Sequence, residues 1–236
     1  MRMSPERNAR IQQLLATRQS DLTVCMEEVH KPHNVAAIVR TCDAVGVHEI
    51  NGVWSEDNAV RKGTSVGSNV WVKNKAHTSI GDAVSDFKQR GMQVLVTNLS
   101  DKAVDFRRVD YTRPTAIILG QEKTGATPEA IALADTDIII PMVGMVQSLN
   151  VSVAAAVVLY EAQRQREAAG MYQTSNLPED ERQRVLFEGG FPKLQEICIR
   201  KNLPYPHVND EGEIEADERW WQQVQLSEQA FAESQQ

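Results

Sequence analysis

Two short apolar segments constrain the fold of this chain more than any other feature. Residues 115–119 read Thr-Ala-Ile-Ile-Leu and residues 138–140 read Ile-Ile-Ile, without the alternation of a strand that has one face in water. Unalternating strands are typical of a parallel sheet that helices cover on both faces. Helical stretches separate these segments from other candidate strands, so we predict an α/β fold with a parallel sheet.

The same alternation of strand and helix continues through most of the chain. Predicted strands cover residues 22–26, 49–53, 93–97, 115–119 and 137–141, and predicted helices cover residues 34–45, 80–90, 128–134 and 150–169. Residues 54–78 are rich in Gly, Ser, Asn, Lys and Arg, which predicts a mobile loop that closes on a substrate.

Two helical segments flank this predicted domain. Residues 5–18 have the spacing of a short amphipathic helix, and charged helices are predicted at residues 178–188 and 192–201. We therefore divide the chain into a basic N-terminal helix at residues 1–20, an α/β domain at residues 21–170 and a helical extension at residues 171–236.

The composition indicates the cellular compartment and the classes of site to expect. Cys25, Cys42 and Cys198 are odd in number and far apart, which favours reduced thiols in the cytoplasm over disulfides. No apolar run is long enough for a bilayer or typical of a secretion signal, so we predict no membrane contact. His30 and His33 lack further ligands nearby, so we predict no metal site.

The charge distribution leaves room for a nucleic-acid partner. The net charge is −7, but 13 acidic and 6 basic side chains from Ser175 onward account for it. Basic residues on the remaining neutral body are candidate phosphate contacts. They are Arg7, Arg10 and Arg18 near the N-terminus and Arg164 and Arg166 on the helix at residues 150–169. Ordinary solvated arginines are the alternative interpretation.

Three polar clusters interrupt the apolar elements. Asn34 and Arg40 lie on one predicted helix, Glu122 lies in a loop with a glycine at each end, and Ser148 and Asn150 begin the long helix. In open α/β folds, ligands bind beyond the carboxyl ends of strands and at helix N-termini. A simple helix cap is the alternative for Ser148 and Asn150.

These clusters resemble the three signature motifs of the SpoU/TrmH family of SPOUT RNA methyltransferases. The matching segments are residues 34–40, 119–125 and 147–154, in that order. Residues 186–192 and 203–209 resemble the C-terminal extension of the members that act on tRNA. The resemblance implies methyl transfer from S-adenosylmethionine to the ribose 2′-hydroxyl of guanosine 18 in the tRNA D-loop. It also implies a deep trefoil knot and a homodimer whose active site draws on both chains.

The resemblance also assigns catalytic roles. Arg40 is implied as the catalytic residue and Asn34 as the group that orients it or the hydroxyl. Ser148 and Asn150 shape the pocket, and Glu122 contacts the dimer partner or the arginine. Because a guanidinium with a pKa above about 12 does not deprotonate, we expect Arg40 to bind a neighbouring phosphate and stabilise the forming alkoxide. The phosphate or water then accepts the proton.

The family holds the adenosine of its cofactor largely through backbone groups, so the predicted cofactor residues need not be polar. They lie at strand ends and in the loop before the long helix. The predicted set is Thr97, Leu119, Gly120, Ile140, Met145, Ser148 and Leu149.

Three alternatives remain open at this point. A sibling enzyme that methylates ribosomal RNA commonly carries an extra N-terminal domain, whereas the first motif here begins at Asn34. A non-catalytic RNA-binding protein would not need the intact polar set. A nucleotide-binding α/β protein without an RNA role would carry a glycine-rich phosphate fingerprint, which this sequence lacks.

Overall fold

The computed structural model describes residues 1–54 and 71–227. The predicted mobile loop at residues 54–78 therefore lies mostly outside the described residues. The chain divides into two compact units, one formed by Arg18–Asn176 and the other by Met1–Thr17 together with Leu177–Gln236. The N-terminal helix and the C-terminal extension, which we predicted as separate segments, thus belong to one unit.

The larger unit is an α/β sheet. Its strands are β1 (Gln19–Glu27), β2 (Val47–Val53), β3 (Lys73–His77), β4 (Gln93–Thr97), β5 (Val104–Asp105), β6 (Thr115–Leu119) and β7 (Thr136–Ile139). Its helices are α2 (Pro32–Ala44), α3 (Ile80–Gln89), α4 (Pro128–Leu133) and α5 (Val151–Ala168). The strand order is β3-β2-β1-β6-β4-β7-β5, and every pair of neighbours is parallel. The predicted parallel α/β fold is confirmed.

Successive side chains of the central strands enter two different cores. Val24 and Ile117 belong to the core beneath α2 and α5. Cys25 and Ile118, their neighbours along the chain, belong to the core beneath α3 and α4. Because successive side chains of a strand point to opposite faces, two covered faces require apolar residues at every position. This is the physical basis of the unalternating pattern.

Two strands, β3 and β5, were not predicted from the sequence pattern. Residues 73–77 read Lys-Asn-Lys-Ala-His, and β5 has only two residues. Both strands lie at edges of the sheet. An edge strand is often charged or short because its outer side faces solvent, so hydrophobicity does not reveal it.

The parallel arrangement brings several strand ends to one edge of the sheet. The carboxyl ends of β4, β6 and β7 lie side by side, since β4 pairs with both other strands. The three segments that follow these strands therefore leave the sheet together, and the last of them leads into α5. The trefoil knot stays a prediction, because strand order alone does not test it.

The smaller unit is mainly helical. It contains α1 (Pro5–Thr17), α6 (Glu179–Gly190), α7 (Pro192–Lys201), α8 (Glu218–Gln225) and a short antiparallel pair of β8 (His207–Val208) and β9 (Ile214–Glu215). An aromatic cluster centres on Phe187, whose ring lies 4.6 Å from that of Tyr205 and 6.3 Å from that of Trp220. Across the described residues of both units, no helix is long and apolar enough to cross a membrane.

Candidate active site

A cavity of about 420 Å³ opens at the carboxyl edge of the sheet. Its walls come from the ends of β4, β6 and β7, from the loops that follow them, and from the start of α5. Pockets for small ligands span about 300–1,000 Å³ and favour such switch points of α/β sheets. The cavity therefore has the size and the place of a ligand site.

Most of the predicted cofactor residues line this cavity. Those at its wall are Thr97, Leu119, Gly120, Ile140, Ser148 and Leu149. Met145 does not line the cavity and is fully exposed, and its contact with the cofactor stays a prediction. Asn98 and Gln147 also line the wall. The sequence signal for Asn98 was its position beside a predicted strand end, and Gln147 begins the third motif.

Glycine is required at one point of this wall. A Cβ atom on Gly120 would lie 2.1 Å from the backbone nitrogen of Ala126, far inside van der Waals contact. The loop closes this tightly because the N–H of Gly125 donates to the carbonyl of Gln121 at 3.0 Å. Gly125 itself has a φ of +72°, which glycine adopts without strain. The two glycines thus build a wall of backbone atoms.

A buried carboxylate anchors the far end of the same loop. Glu27, at the end of β1, is 3% exposed. Its oxygens accept from the backbone N–H of Thr127 at 2.9 Å and from the Thr127 hydroxyl at 2.6 Å. Our sequence analysis missed this residue; an acidic side chain at the end of an apolar strand was the available signal.

The three polar clusters meet beside the cavity. The side-chain amide of Asn34 donates to Glu122 Oε1, and Lys31 Nζ lies 3.4 Å from Glu122 Oε2. Asn150 Nδ2 donates to Asn34 Oδ1 at 3.2 Å. Asn150 Oδ1 in turn accepts from the N–H of Ser152 at 2.8 Å and caps α5. The helix-cap interpretation of Asn150 is therefore correct, and the cap belongs to a larger network.

Arg40 lies apart from this network. It is exposed on α2 and does not line the cavity. Among the described residues, its side chain forms no hydrogen bond or ion pair. Within one chain, Glu122 contacts Asn34 and Lys31 rather than the arginine. Of the five predicted catalytic residues, Glu122 and Ser148 line the cavity, and Asn34 and Asn150 are linked to Glu122 by hydrogen bonds. Arg40 does neither.

Comparison with known proteins identifies this arrangement. The SpoU rRNA Methylase family matches residues 21–160, and the SpoU rRNA methylase C-terminal family matches residues 164–217. The chain belongs to the SpoU methylase family. The match includes all three polar clusters and every strand of the sheet from β2 to β7.

Individual members of the SpoU family are similar over most of their length. A tRNA (guanosine(18)-2′-O)-methyltransferase of Escherichia coli K12 is 64% identical over 228 residues, which cover 95% of this chain and 100% of that protein. A protein of the same name from Thermus thermophilus is 53% identical over 181 residues, covering 76% of this chain and 93% of that protein.

Solved structures of the family share the fold. The crystal structure of the A. aeolicus TrmH/SpoU tRNA modifying enzyme has a TM-score of 0.73 at 44% identity, covering 80% of this chain and 96% of that chain. The SpoU methyltransferase AviRb from Streptomyces viridochromogenes, in complex with the cofactor AdoMet, has a TM-score of 0.53 at 29% identity, covering 64% of this chain and 62% of that chain.

Two of the arginines predicted to contact RNA are buried instead. Arg18 is 1% exposed and donates to Asp43 Oδ1 at 2.6 Å. Arg166 is 0% exposed and donates to Asp21 Oδ1 at 2.6 Å and to the carbonyl of Tyr111 at 2.8 Å. A phosphate cannot reach a guanidinium without exposed surface, so the prediction is wrong for both residues.

The remaining three arginines are exposed. Arg164 forms a two-point ion pair with Glu161, at 2.9 and 2.7 Å. Arg7 donates from Nε to the carbonyl of Gly189 at 2.7 Å, and Arg10 is exposed on α1. Phosphate contact by these three side chains stays a prediction.

The described residues also contain no cluster of three or more His, Cys, Asp or Glu side chains that could hold a metal ion.

Proposed function

We propose that this chain transfers a methyl group from S-adenosylmethionine to the ribose 2′-hydroxyl of guanosine 18 in the D-loop of tRNA. The observation that carries the proposal is the convergence of Asn34, Glu122 and Asn150, one from each family motif, beside a cavity at the carboxyl edge of the sheet. The relatives that are 64% and 53% identical carry the name of this activity.

The cavity fits the proposed cofactor. Apolar walls from Leu119, Ile140 and Leu149 suit a flat base, and Gly120 leaves backbone groups open to its polar edge. Asn98 and Gln147 add polar side chains to the wall. When bound, S-adenosylmethionine supplies a reactive methyl group on a positively charged sulfur.

The polar residues have the chemistry to position the acceptor. A ribose hydroxyl is a poor nucleophile, so the protein must hold it in line with the methyl group and favour loss of its proton. Ser148 lies at the cavity wall, and the amides of Asn34 and Asn150 are locked by hydrogen bonds. Ser148 and Asn150 are exposed and offer donors and acceptors to a ribose, while the buried side chain of Asn34 fixes the Asn150 amide.

Arg40 has a different role in the proposed reaction. A guanidinium has hydrogen-bond donors only, so Arg40 binds the phosphate next to the target nucleotide and stabilises the negative charge that forms on the ribose oxygen. That phosphate or a water molecule accepts the proton.

A second copy of the chain is proposed to complete the site. Arg40 is exposed and lies outside the cavity of its own chain. Large apolar side chains are exposed at Val143 and Val146 in the loop before α5, and at Val153 and Tyr160 on α5 itself. Val153 and Tyr160 lie seven residues apart, on one face of the helix. A partner subunit that covers this face and supplies its own Arg40 accounts for both observations.

The remaining assignments are part of the same proposal. Arg7, Arg10 and Arg164 contact tRNA phosphates, and residues 21–170 carry the catalysis.

The protein is proposed to act in the cytoplasm, where thiols stay reduced. Burial raises the pKa of the Cys42 thiol to about 12, which makes it unreactive.

Mapping 2′-O-methylation in tRNA tests the proposal directly. In cells that lack the gene, we expect the methyl group to disappear from guanosine 18 and to return when the wild-type gene is restored. A loss in ribosomal RNA instead would assign the chain to the sibling class. Unchanged methylation throughout would leave a non-catalytic RNA-binding role.

A further inference from the structure

We propose that Lys31 is a positioning residue for methyl transfer: it holds the Glu122 carboxylate in place and thereby sets the orientation of the Asn34 and Asn150 amides. Lys31 belongs to none of the three polar clusters, since it precedes the first of them. The inference rests on the proposed function, because the residues it orients are those proposed to position the ribose.

Lys31 and Glu122 hold Asn34 from two sides. The carbonyl of Lys31 accepts from the backbone N–H of Asn34 at 3.0 Å, at the first turn of α2. The ammonium of Lys31 lies 3.4 Å from Glu122 Oε2, while Glu122 Oε1 accepts from the side-chain amide of Asn34. Asn34 is 2% exposed, so its side chain is enclosed as well as bonded.

The network defines which way each amide faces. An ionised carboxylate only accepts hydrogen bonds, whereas an amide has a donor end and an acceptor end. Because Glu122 accepts, Asn34 must turn Nδ2 toward it and leave Oδ1 for Asn150 Nδ2. Asn150 then presents Oδ1 to the N–H of Ser152. A flip of either amide would place two donors or two acceptors against each other.

Lys31 is suited to holding the carboxylate still. Glu122 lies in the loop between Gly120 and Gly125, and its side chain is 16% exposed. Among the described residues, each of its oxygens has one of the partners given above, so removal of Lys31 takes away the described partner of Oε2. The Lys31 side chain is 49% exposed, and ion pairs of this kind contribute little to folding stability. Its contribution is therefore to geometry.

The first test measures kcat and KM for tRNA in three variants, with S-adenosylmethionine saturating. We expect Lys31→Ala to lower kcat about two- to fivefold, the range that loss of a half-exposed ion pair allows. We expect KM for tRNA to stay unchanged and Lys31→Arg to recover most of the loss. Lys88→Ala is the matched control, because Lys88 is 48% exposed and lies 3.2 Å from Asp135.

A double-mutant cycle asks whether Lys31 acts through Glu122. In a Glu122→Gln background, we expect Lys31→Ala to cause no further loss of kcat, because the carboxylate that it holds is gone. Losses that multiply would mean that Lys31 acts independently of Glu122, and the proposal would be overturned.

The main competing role for Lys31 is a direct phosphate contact. If Lys31 contacted a phosphate, the plot of log affinity for tRNA against log salt concentration would be less steep by nearly one unit in Lys31→Ala. We expect the slope to match those of wild type and Lys88→Ala, and a lower slope would overturn the proposal.

A spectroscopic readout separates this inference from the proposed function. The side-chain amide NMR signals of Asn34 and Asn150 should shift in Lys31→Ala and stay in place in Lys88→Ala. Unshifted signals would refute positioning by Lys31, whatever the RNA substrate. If the wild-type protein failed to methylate guanosine 18, the proposed function would be refuted. The NMR shifts would still test whether Lys31 positions the two amides.

Discussion

Arg164 and Arg166 lie two residues apart on α5 and have opposite environments. Two residues correspond to about 200° around a helix, so one side chain faces solvent and the other faces the sheet. Arg164 pairs with Glu161 at the surface. Arg166 donates to the side chains of Gln19 and Asp21 and to the carbonyls of Tyr111 and Arg113. These bonds satisfy a buried guanidinium and tie α5 to β1.

Replacement of Arg166 should destabilise the fold. We expect Arg166→Ala to lower the free energy of unfolding by about 3 kcal/mol, because it removes one partner of a buried ion pair and leaves several acceptors unpaired. Arg164→Ala, on the same helix, should have little effect because that pair is exposed. Urea denaturation measures both, and equal stabilities of the two variants would contradict the structural role.

Arg40 offers a test of chemistry at the residue scale. Arg40→Lys keeps the positive charge but loses the planar fork that binds phosphate at two points. We expect the variant to fold normally and to lose at least about tenfold in kcat/KM, since two-point hydrogen bonding to the phosphate is lost. A wild-type rate of methyl transfer in a single-turnover assay would rule out this role.

The loop after β6 shows how an element is positioned by a distant residue. Its glycines close the backbone around the cavity, and Glu27 on β1 holds its far end through two hydrogen bonds to Thr127. The loop therefore depends on β1, which lies 100 residues earlier in the chain.

Loss of the Glu27 anchor should weaken cofactor binding. Glu27→Ala leaves the partly buried N–H and hydroxyl of Thr127 without their acceptor, which should cost about 1 kcal/mol of stability. We expect weaker binding of S-adenosylmethionine by calorimetry, because the cavity wall is no longer fixed. Glu27→Gln is the control: its amide oxygen can still accept from the N–H of Thr127, and its NH2 can donate to the Thr127 hydroxyl, so it should retain more affinity than Glu27→Ala.

At the scale of the whole molecule, the proposed dimer makes a prediction about mixed subunits. One chain carries Arg40→Ala and the other carries Gly120→Leu, whose side chain collides with the backbone of Gly125 and Ala126 and distorts the cavity wall. If each site takes Arg40 from the partner, half of a random mixture is heterodimer and has one working site of two. We expect about a quarter of wild-type methylation, since the assembly is symmetric.

The homodimers of either variant serve as the controls and should be inactive. If Arg40 instead served the cavity of its own chain, no chain in the mixture would hold both groups. Coexpressed subunits would then show no methylation, which would exclude a shared active site.

The sequence alone determined the five inner strands of the sheet and most residues of the site. Unalternating apolar segments predicted a sheet covered on both faces. The three motifs identified Asn34, Glu122 and Asn150, which meet at the edge of this sheet. Most predicted elements agree with the structure to within a few residues; β1, for example, covers Gln19–Glu27 where residues 22–26 were predicted. These features depend on the period and type of neighbouring residues, which a sequence displays directly.

The tertiary structure decided which charged groups are exposed and which polar groups meet. Arg166 resembles a surface residue until Asp21, 145 positions away, is placed against it. Asn34 and Asn150 are 116 positions apart, and only the packing of α2 against α5 brings their amides together. A buried charge is tolerated only where distant partners satisfy it, so its environment cannot be derived from local pattern.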